Sequence, residues 1–334
     1  MSRFALSSFA VIASLAAGHG AHAEVAWDKV AAALGKQGSE MPGQVYRVGL
    51  PRTDLKVSVD GVEIRPAFAL GGWLAFKEMG TGVMVMGDLV LTETEINPVM
   101  AKLLAGGLKV TAVHNHLLRA QPATFYMHIA GEGAPEKLAN ALHASLAESR
   151  IPLRVAVTPS AVPATIDLDT AKLNEILGAR GTANGGVYGF GIPRAEPITD
   201  HGMVVPPAMG TAIAINFQPV GGGRAAITGD FVLVAEEVNS VLSTLRQNGI
   251  EVTAVHNHMI DDQPRTFYVH FWAVDDAMKL AGGLRAALDK LKLARDYRHV
   301  DDFLAPAAPW HSARFGCGDY HGTESASSRR TTHD

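Results

Sequence analysis

Six histidines stand in two matching sets. Val110-Thr111-Ala112-Val113-His114-Asn115-His116 recurs unchanged as Val252-Thr253-Ala254-Val255-His256-Asn257-His258, at an offset of 142 residues, and the same offset carries His128 onto His270. Residues two apart in a strand share a face, so His114 and His116 project together, and a turn at Gln121-Pro122 folds the next strand back to bring His128 beside them. Neutral imidazoles arranged in this way suit Zn, Cu, Ni or Fe, whereas Mg and Ca prefer oxygen. The sequence therefore predicts a transition metal, zinc before copper, on His114, His116 and His128 and on His256, His258 and His270. Two plainer readings compete: a metal-free polar site, and structural histidines bonded to backbone carbonyls. The flanks drift, Leu118-Arg119-Ala120 against Ile260-Asp261-Asp262, while all six histidines stay, which favours ligands. One shared site and two separate sites are both open at this level.

Carboxylates come next. Glu95 and its match Glu237 lie at the start of a helix expected at the same end of the sheet as the histidines, so each is a candidate ligand or general base. The competing role for Glu95 is a capping box with Thr92. Val234 replaces that threonine in the second copy, leaving the helix dipole as the plain reason for Glu237. Asp88 and Asp230 read as strand residues that satisfy backbone amides. Tyr126 and Tyr268 share a face with His128 and His270, as core residues with satisfied hydroxyls or as lining of the site.

The elements that must position these groups repeat as well. Val83–Leu91 reads as a buried strand, and Ile96, Val99, Met100, Leu103 and Leu104 mark one helical face stopped by Gly106-Gly107. Strands over Lys109–Leu117 and Thr124–Ala130 follow, then a helix with Leu138, Leu142 and Leu146. The order is β-α-β-β-α. The second copy repeats it with Val238, Val241, Leu242 and Leu245, a stop at Asn248-Gly249, and Leu280, Leu284 and Leu288. Extra strands precede the unit from about Val45 and about Val187. A repeat this long means duplicated domains, since solenoid units run about 20–50 residues. The expected class is α+β: two tandem duplicated domains over 30–158 and 173–304, each with helices packed on a mostly antiparallel sheet.

Composition narrows the function classes. The 334 residues are 47% hydrophobic and 19% charged, enough to bury two cores. A formal charge of −4 without a basic stripe gives counterion-release binding to nucleic acid little to work with. Cys317 is the one cysteine, so neither an intrachain disulfide nor a thiolate-rich zinc site can form. Gly221-Gly222-Gly223 lacks the downstream lysine of a phosphate loop and reads as a turn. Arg3, the apolar run Phe4–Ala17 and Ala21-His22-Ala23 form the pattern of a signal peptide over 1–23, too short for a membrane span and without a lipobox cysteine. Residues 305–334 read as a mobile tail.

The VTAVHNH blocks, GDLVLTETEINPVM, TFYMH and TFYVHFW resemble the LppY/LpqO bacterial family, over about 30–304. The resemblance implies a secreted or envelope protein with a duplicated domain and carries no established activity. Two function classes follow: a periplasmic metal-dependent hydrolase, in which three histidines leave a coordination position for water, or a non-catalytic protein that binds a metal, a small molecule or an envelope ligand. Exported material is expected to begin at Glu24. Its intact mass checks this, and a mass counted from Met1 would exclude cleavage.

Overall fold

The computed structural model describes residues 25–80, 82–153 and 165–294; the expected signal segment and tail lie outside the described residues. In chain order the first half contains α1 (Trp27–Leu34), β1 (Ser39–Met41), β2 (Val45–Pro51), β3 (Val57–Val59), β4 (Val62–Ile64), α2 (Pro66–Ala69), β5 (Gly71–Met79), β6 (Gly82–Thr92), α3 (Glu93–Ala105), β7 (Lys109–His114), β8 (Thr124–Gly133) and α4 (Pro135–Leu146). The second contains α5 (Thr170–Leu177), β9 (Thr182–Asn184), β10 (Val187–Pro193), β11 (Thr199–Asp200), β12 (Met203–Val204), a 3-10 turn (Pro207–Met209), β13 (Ala212–Gly221), β14 (Arg224–Val234), α6 (Val238–Gln247), β15 (Glu251–His256), β16 (Thr266–Asp276) and α7 (Ala277–Leu288). The architecture is the expected duplicated α+β one.

Each half is built on a six-stranded antiparallel sheet, ordered β1-β2-β5-β6-β8-β7 in the first and β9-β10-β13-β14-β16-β15 in the second. Strand alternation decides what each face covers. In β6 and β8 the side chains of Leu89, Leu91, Met127 and Ile129 pack with Val99, Leu103, Leu138 and Leu142 of α3 and α4. The alternate residues turn away from the helices: Val45, Ala75, Met84 and Met86 join the core of the second half, and Val90 and Tyr126 pack with Ala226 and Trp272. The two sheets therefore face one another, each with its helices outside. Continuous burial of Val83–Leu91 follows, because β6 is covered on both faces.

Reciprocal bonds across the interface show an approximate two-fold relation. The Thr111 hydroxyl donates to the carbonyl of His258, and the equivalent Thr253 hydroxyl donates to that of His116 at 2.6 Å. The turns after the histidines are held alike, by a bridge from Ser58 to Gln121 in one half and from Thr199 to Gln263 in the other.

The helix-start glutamates have a different task from the one expected. Arg52, fully buried, donates to both carboxylate oxygens of Glu95, at 2.8 and 3.3 Å, and to the Val90 carbonyl. Glu95 also accepts from the amides of Thr92 and Arg150, at 2.8 Å each. Arg194 and Glu237 repeat the arrangement at 2.7 and 3.1 Å, with the Val234 amide as a further donor. The expected placement of Glu95 and Glu237 beside the histidines is corrected: both are taken up by arginines where the helices lie, on the outer face of each sheet, and the histidines stand on the inner one. The repeated Pro-Arg dipeptides supply the partners that hold the first turn of α3 and the start of α6 against the sheet. Burial alone would raise the Glu95 carboxyl, but the Arg52 and backbone hydrogen bonds hold it below the usual range. Arg52→Met, which strands a buried carboxylate, is expected to cost about 3–5 kcal/mol in denaturant unfolding, and adding Glu95→Gln should restore part of it.

Candidate metal centre

Registers in the two sheets place the same four residue positions side by side. Trp73, Asp88, His128 and Ala112 form one row across β5, β6, β8 and β7, and Ala214, Asp230, His270 and Ala254 form its counterpart. His114 pairs with Tyr126 and His256 with Tyr268 one step along, toward the histidine turns. β7 ends at His114 rather than continuing to Leu117, so His116 stands just beyond the strand, as His258 does in the other half.

The six imidazoles meet between the sheets in one cluster. His114 and His256 stack at 3.5 Å between ring centroids, on the pseudo-axis. Around them the spacings repeat in pairs: His116–His270 at 3.7 Å and His128–His258 at 3.8 Å, then His114–His128 at 5.0 Å and His256–His270 at 4.7 Å. Tyr126 covers His116 and Tyr268 covers His258, both at 3.3 Å. Each tyrosine is thus both core and lining. The Tyr126 hydroxyl donates to the Ala69 carbonyl, whereas the buried Tyr268 hydroxyl is set beside Thr266.

Several features of the cluster fit a cation. His270 Nδ1 lies 2.7 Å from the Gly229 carbonyl, and His128 bonds the backbone of Gly87, so donation from these rings leaves Nε2 as a lone pair facing inward. The Gly-Asp pair repeated in the two halves is explained by this. A Cβ at Gly229 would fall 2.0 Å from the Ala214 carbonyl, so glycine is needed where the strands approach, while the next residue presents its carboxylate. His114 Nε2 and His270 Nε2 are 3.2 Å apart. Two ligands sharing a tetrahedral ion at about 2.0–2.1 Å stand about 3.3 Å apart, so this spacing needs little adjustment. His116 Nε2, His128 Nε2 and both ring nitrogens of His256 are buried without a hydrogen-bond partner among the described residues, and His258 Nε2 faces the Asp230 carboxylate.

The donor sets cross between the halves. Ligand atoms lie within 4.8 Å of one another in three groups: Asp230 with His256, His258 and His270; His114 and His116 with His270; and His114 and His128 with His256. The second trio is thus assembled within its own half, whereas the first is completed by histidines of the other. Asp88 and Asp230 were not readable as site residues, because their place depends on facing His128 and His270 across the ladder. Asp230 Oδ2 is 3.1 Å from His258 Nε2, and Asp88 Oδ2 is 3.7 Å from His116 Nε2. The repeat of Gly-Asp at the 142-residue offset was the available signal.

One family model matches twice, over residues 28–148 and 171–290. The chain belongs to that family, Domain of Unknown Function (DUF1259). No curated protein matches this DUF1259 chain. Among solved structures, a trimeric bacterial microcompartment shell protein, PduB, is 12% identical, with 76% of this chain and 92% of that chain covered and a TM-score of 0.19. EtuB from Clostridium kluyveri is 7% identical, covering 76% and 90%, with a TM-score of 0.20. Neither likeness bears on fold or function.

Electrostatics favour neutral rings. Burial and the neighbouring imidazoles depress His114, His116, His128 and His256, burial lowers His258 to about 3, and burial lowers His270 against the opposing influence of Asp230 and the Gly229 carbonyl. Burial pushes Asp88 up, with Asp230 adding to the effect, and pushes Asp230 up to about 6 against the opposing influence of His270 and the Val269 amide. A depressed histidine contributes stability that is complete above its unfolded value, about 6.5, and is lost as pH falls. The two raised carboxyls act in the opposite sense. Denaturation midpoints of metal-free protein are expected to fall steeply as pH drops below about 6.5, with His114→Gln flattening the slope.

Proposed function

We propose that this DUF1259 protein binds a transition metal, zinc first and copper second, at a single composite centre shared by its two halves. The observation that carries the reading is the convergence of six imidazoles from both halves, His128 and His270 buried and the other four half-buried, with unpartnered ring nitrogens between the sheets. Neutral nitrogen donors with nearby carboxylates select zinc or copper over calcium and magnesium. When bound, the ion would supply Lewis acidity or an activated water. The chain's own residues hold the ring tautomers through Gly87 and Gly229 and set carboxylates beside His116 and His258. Export through the signal-like segment, and the LppY/LpqO likeness, make a periplasmic or secreted setting part of this proposal.

A second reading adds catalysis. A partly open cavity of about 230 Å³ flanks His116, His258, His270, Asp88 and Asp230, which gives a substrate a place beside the ion. A hydrolase built here would have one of these aspartates, rather than Glu95 or Glu237, as the proton acceptor beside the cavity.

Elemental analysis of tag-free protein decides between a composite centre and separate ones. A single composite centre predicts that His114→Ala and His256→Ala each remove most of the bound metal, while the surface change His201→Ala leaves the content intact. Protein free of transition metal, or a half that keeps its metal when the other loses its histidines, would refute the reading.

A further inference from the structure

The metal-ligand shell repeats in both halves, but its surroundings do not. In the row holding Asp88 and His128 the β5 position is Trp73; in the row holding Asp230 and His270 the β13 position is Ala214. In the next row, Arg47, Ala75, Met86 and Ala130 stand against Gly189, Asn216, Thr228 and Trp272. The consequence, among the described residues, is unequal space on the two sides of the cluster. Ala214, Thr228, Gly229 and His270 border the 230 Å³ cavity, whereas the equivalent Met86, Gly87 and His128, together with Trp73, which stands between the two spaces and borders both, surround a void of about 10 Å³.

The open side carries a cation in place. Arg47 lines the cavity with its guanidinium 4.3 Å over the Trp73 ring, one Nη donating to the Ala208 carbonyl. Gly210, at φ +93, lets the 3-10 turn that supplies this carbonyl lie against Trp73, since a Cβ there would meet the ring at 3.0 Å. The other donors of Arg47 have no partner among the described residues, and burial lowers its value to about 10, with Asp88 opposing the shift. Asn216 and Thr228 add an amide and a hydroxyl, and Phe68 and Pro207 supply apolar wall.

We propose that this cavity binds a short monocarboxylate, its carboxylate on Arg47 and its apolar end against Phe68 and Pro207, next to the metal centre. The proposal rests on the metal reading above for what the ligand meets at its inner end, but not for its recognition. A planar guanidinium whose remaining donors have no partner among the described residues matches a carboxylate in geometry and charge. A dianion such as phosphate is disfavoured by two aspartates in the same wall and a single arginine. The asymmetry also explains itself: Arg47, Asn216 and Thr228 occur once because only one side receives the ligand.

Calorimetric titration of the zinc-loaded full chain with propionate, acetamide and inorganic phosphate tests the assignment. Propionate alone is expected to bind. Arg47→Met should weaken it about tenfold or more, as the loss of a charged hydrogen-bonded partner does. Thr228→Met, which copies the residue of the closed side, should fill the cavity and weaken it comparably, with zinc content unchanged in both variants. No binding of propionate, stronger binding of phosphate, or unchanged affinity in both variants would overturn the proposal. Should the chain retain no zinc, the metal reading fails by itself, and propionate titration of metal-free protein with the same two variants still decides the carboxylate site.

Discussion

Everything in this molecule is arranged around polar rings placed where two sheets would otherwise bury hydrocarbon. Sheet-on-sheet packing is normally sealed by apolar side chains, since an unpartnered polar group in such a layer costs about 1–3 kcal/mol. Here the centre of the layer is imidazole and carboxylate, and apolar contacts such as Val90 and Tyr126 against Ala226 and Trp272 are displaced to its flanks. The outer helices compensate: each half has its own apolar core between sheet and helices, so the inner layer is relieved of the main stabilising role. Arg52 and Arg194 belong to the same arrangement, fixing α3 and α6 so that the strands bearing the aspartates keep their register.

A large part of this was legible in the residues. The 142-residue offset revealed the duplication, and the periods of 2 and 3.6 placed α3, α4, α6 and α7 and the strands between them. His114, His116 and His128 were grouped because one strand and one turn suffice to relate them. Glu95 was misjudged for an instructive reason. The sheet end was read correctly, but a strand pattern buried on both faces does not say which face the helices occupy. The competing capping-box role was the true one, with Arg52 as a partner visible only as a repeated dipeptide.

What stayed hidden depends on contacts between elements distant in sequence. Asp88 meets His128 through pairing of β6 with β8, and no local pattern specifies that register. The merging of two trios into one cluster depends on how the halves dock, which the sequence of either half leaves free. The cavity was hidden for a further reason: β13 is equivalent to β5 at an offset of 141 rather than 142, so a direct comparison aligns Trp73 with the wrong residue.

The unequal rows around the cluster have a bearing on why the two halves are carried by one chain. Two identical subunits meeting on a true two-fold axis would be compelled to change both walls together. A tryptophan that closed one side would close the other, and an alanine that opened one would open both. Covalent linkage removes that constraint: Trp73 and Ala214 are encoded separately and can diverge while the histidines on the axis remain matched. The duplicated chain thus keeps the ligand wealth of a symmetric dimer and gains the handedness of a monomer, with a front and a back to a centre that symmetry alone would have left without either.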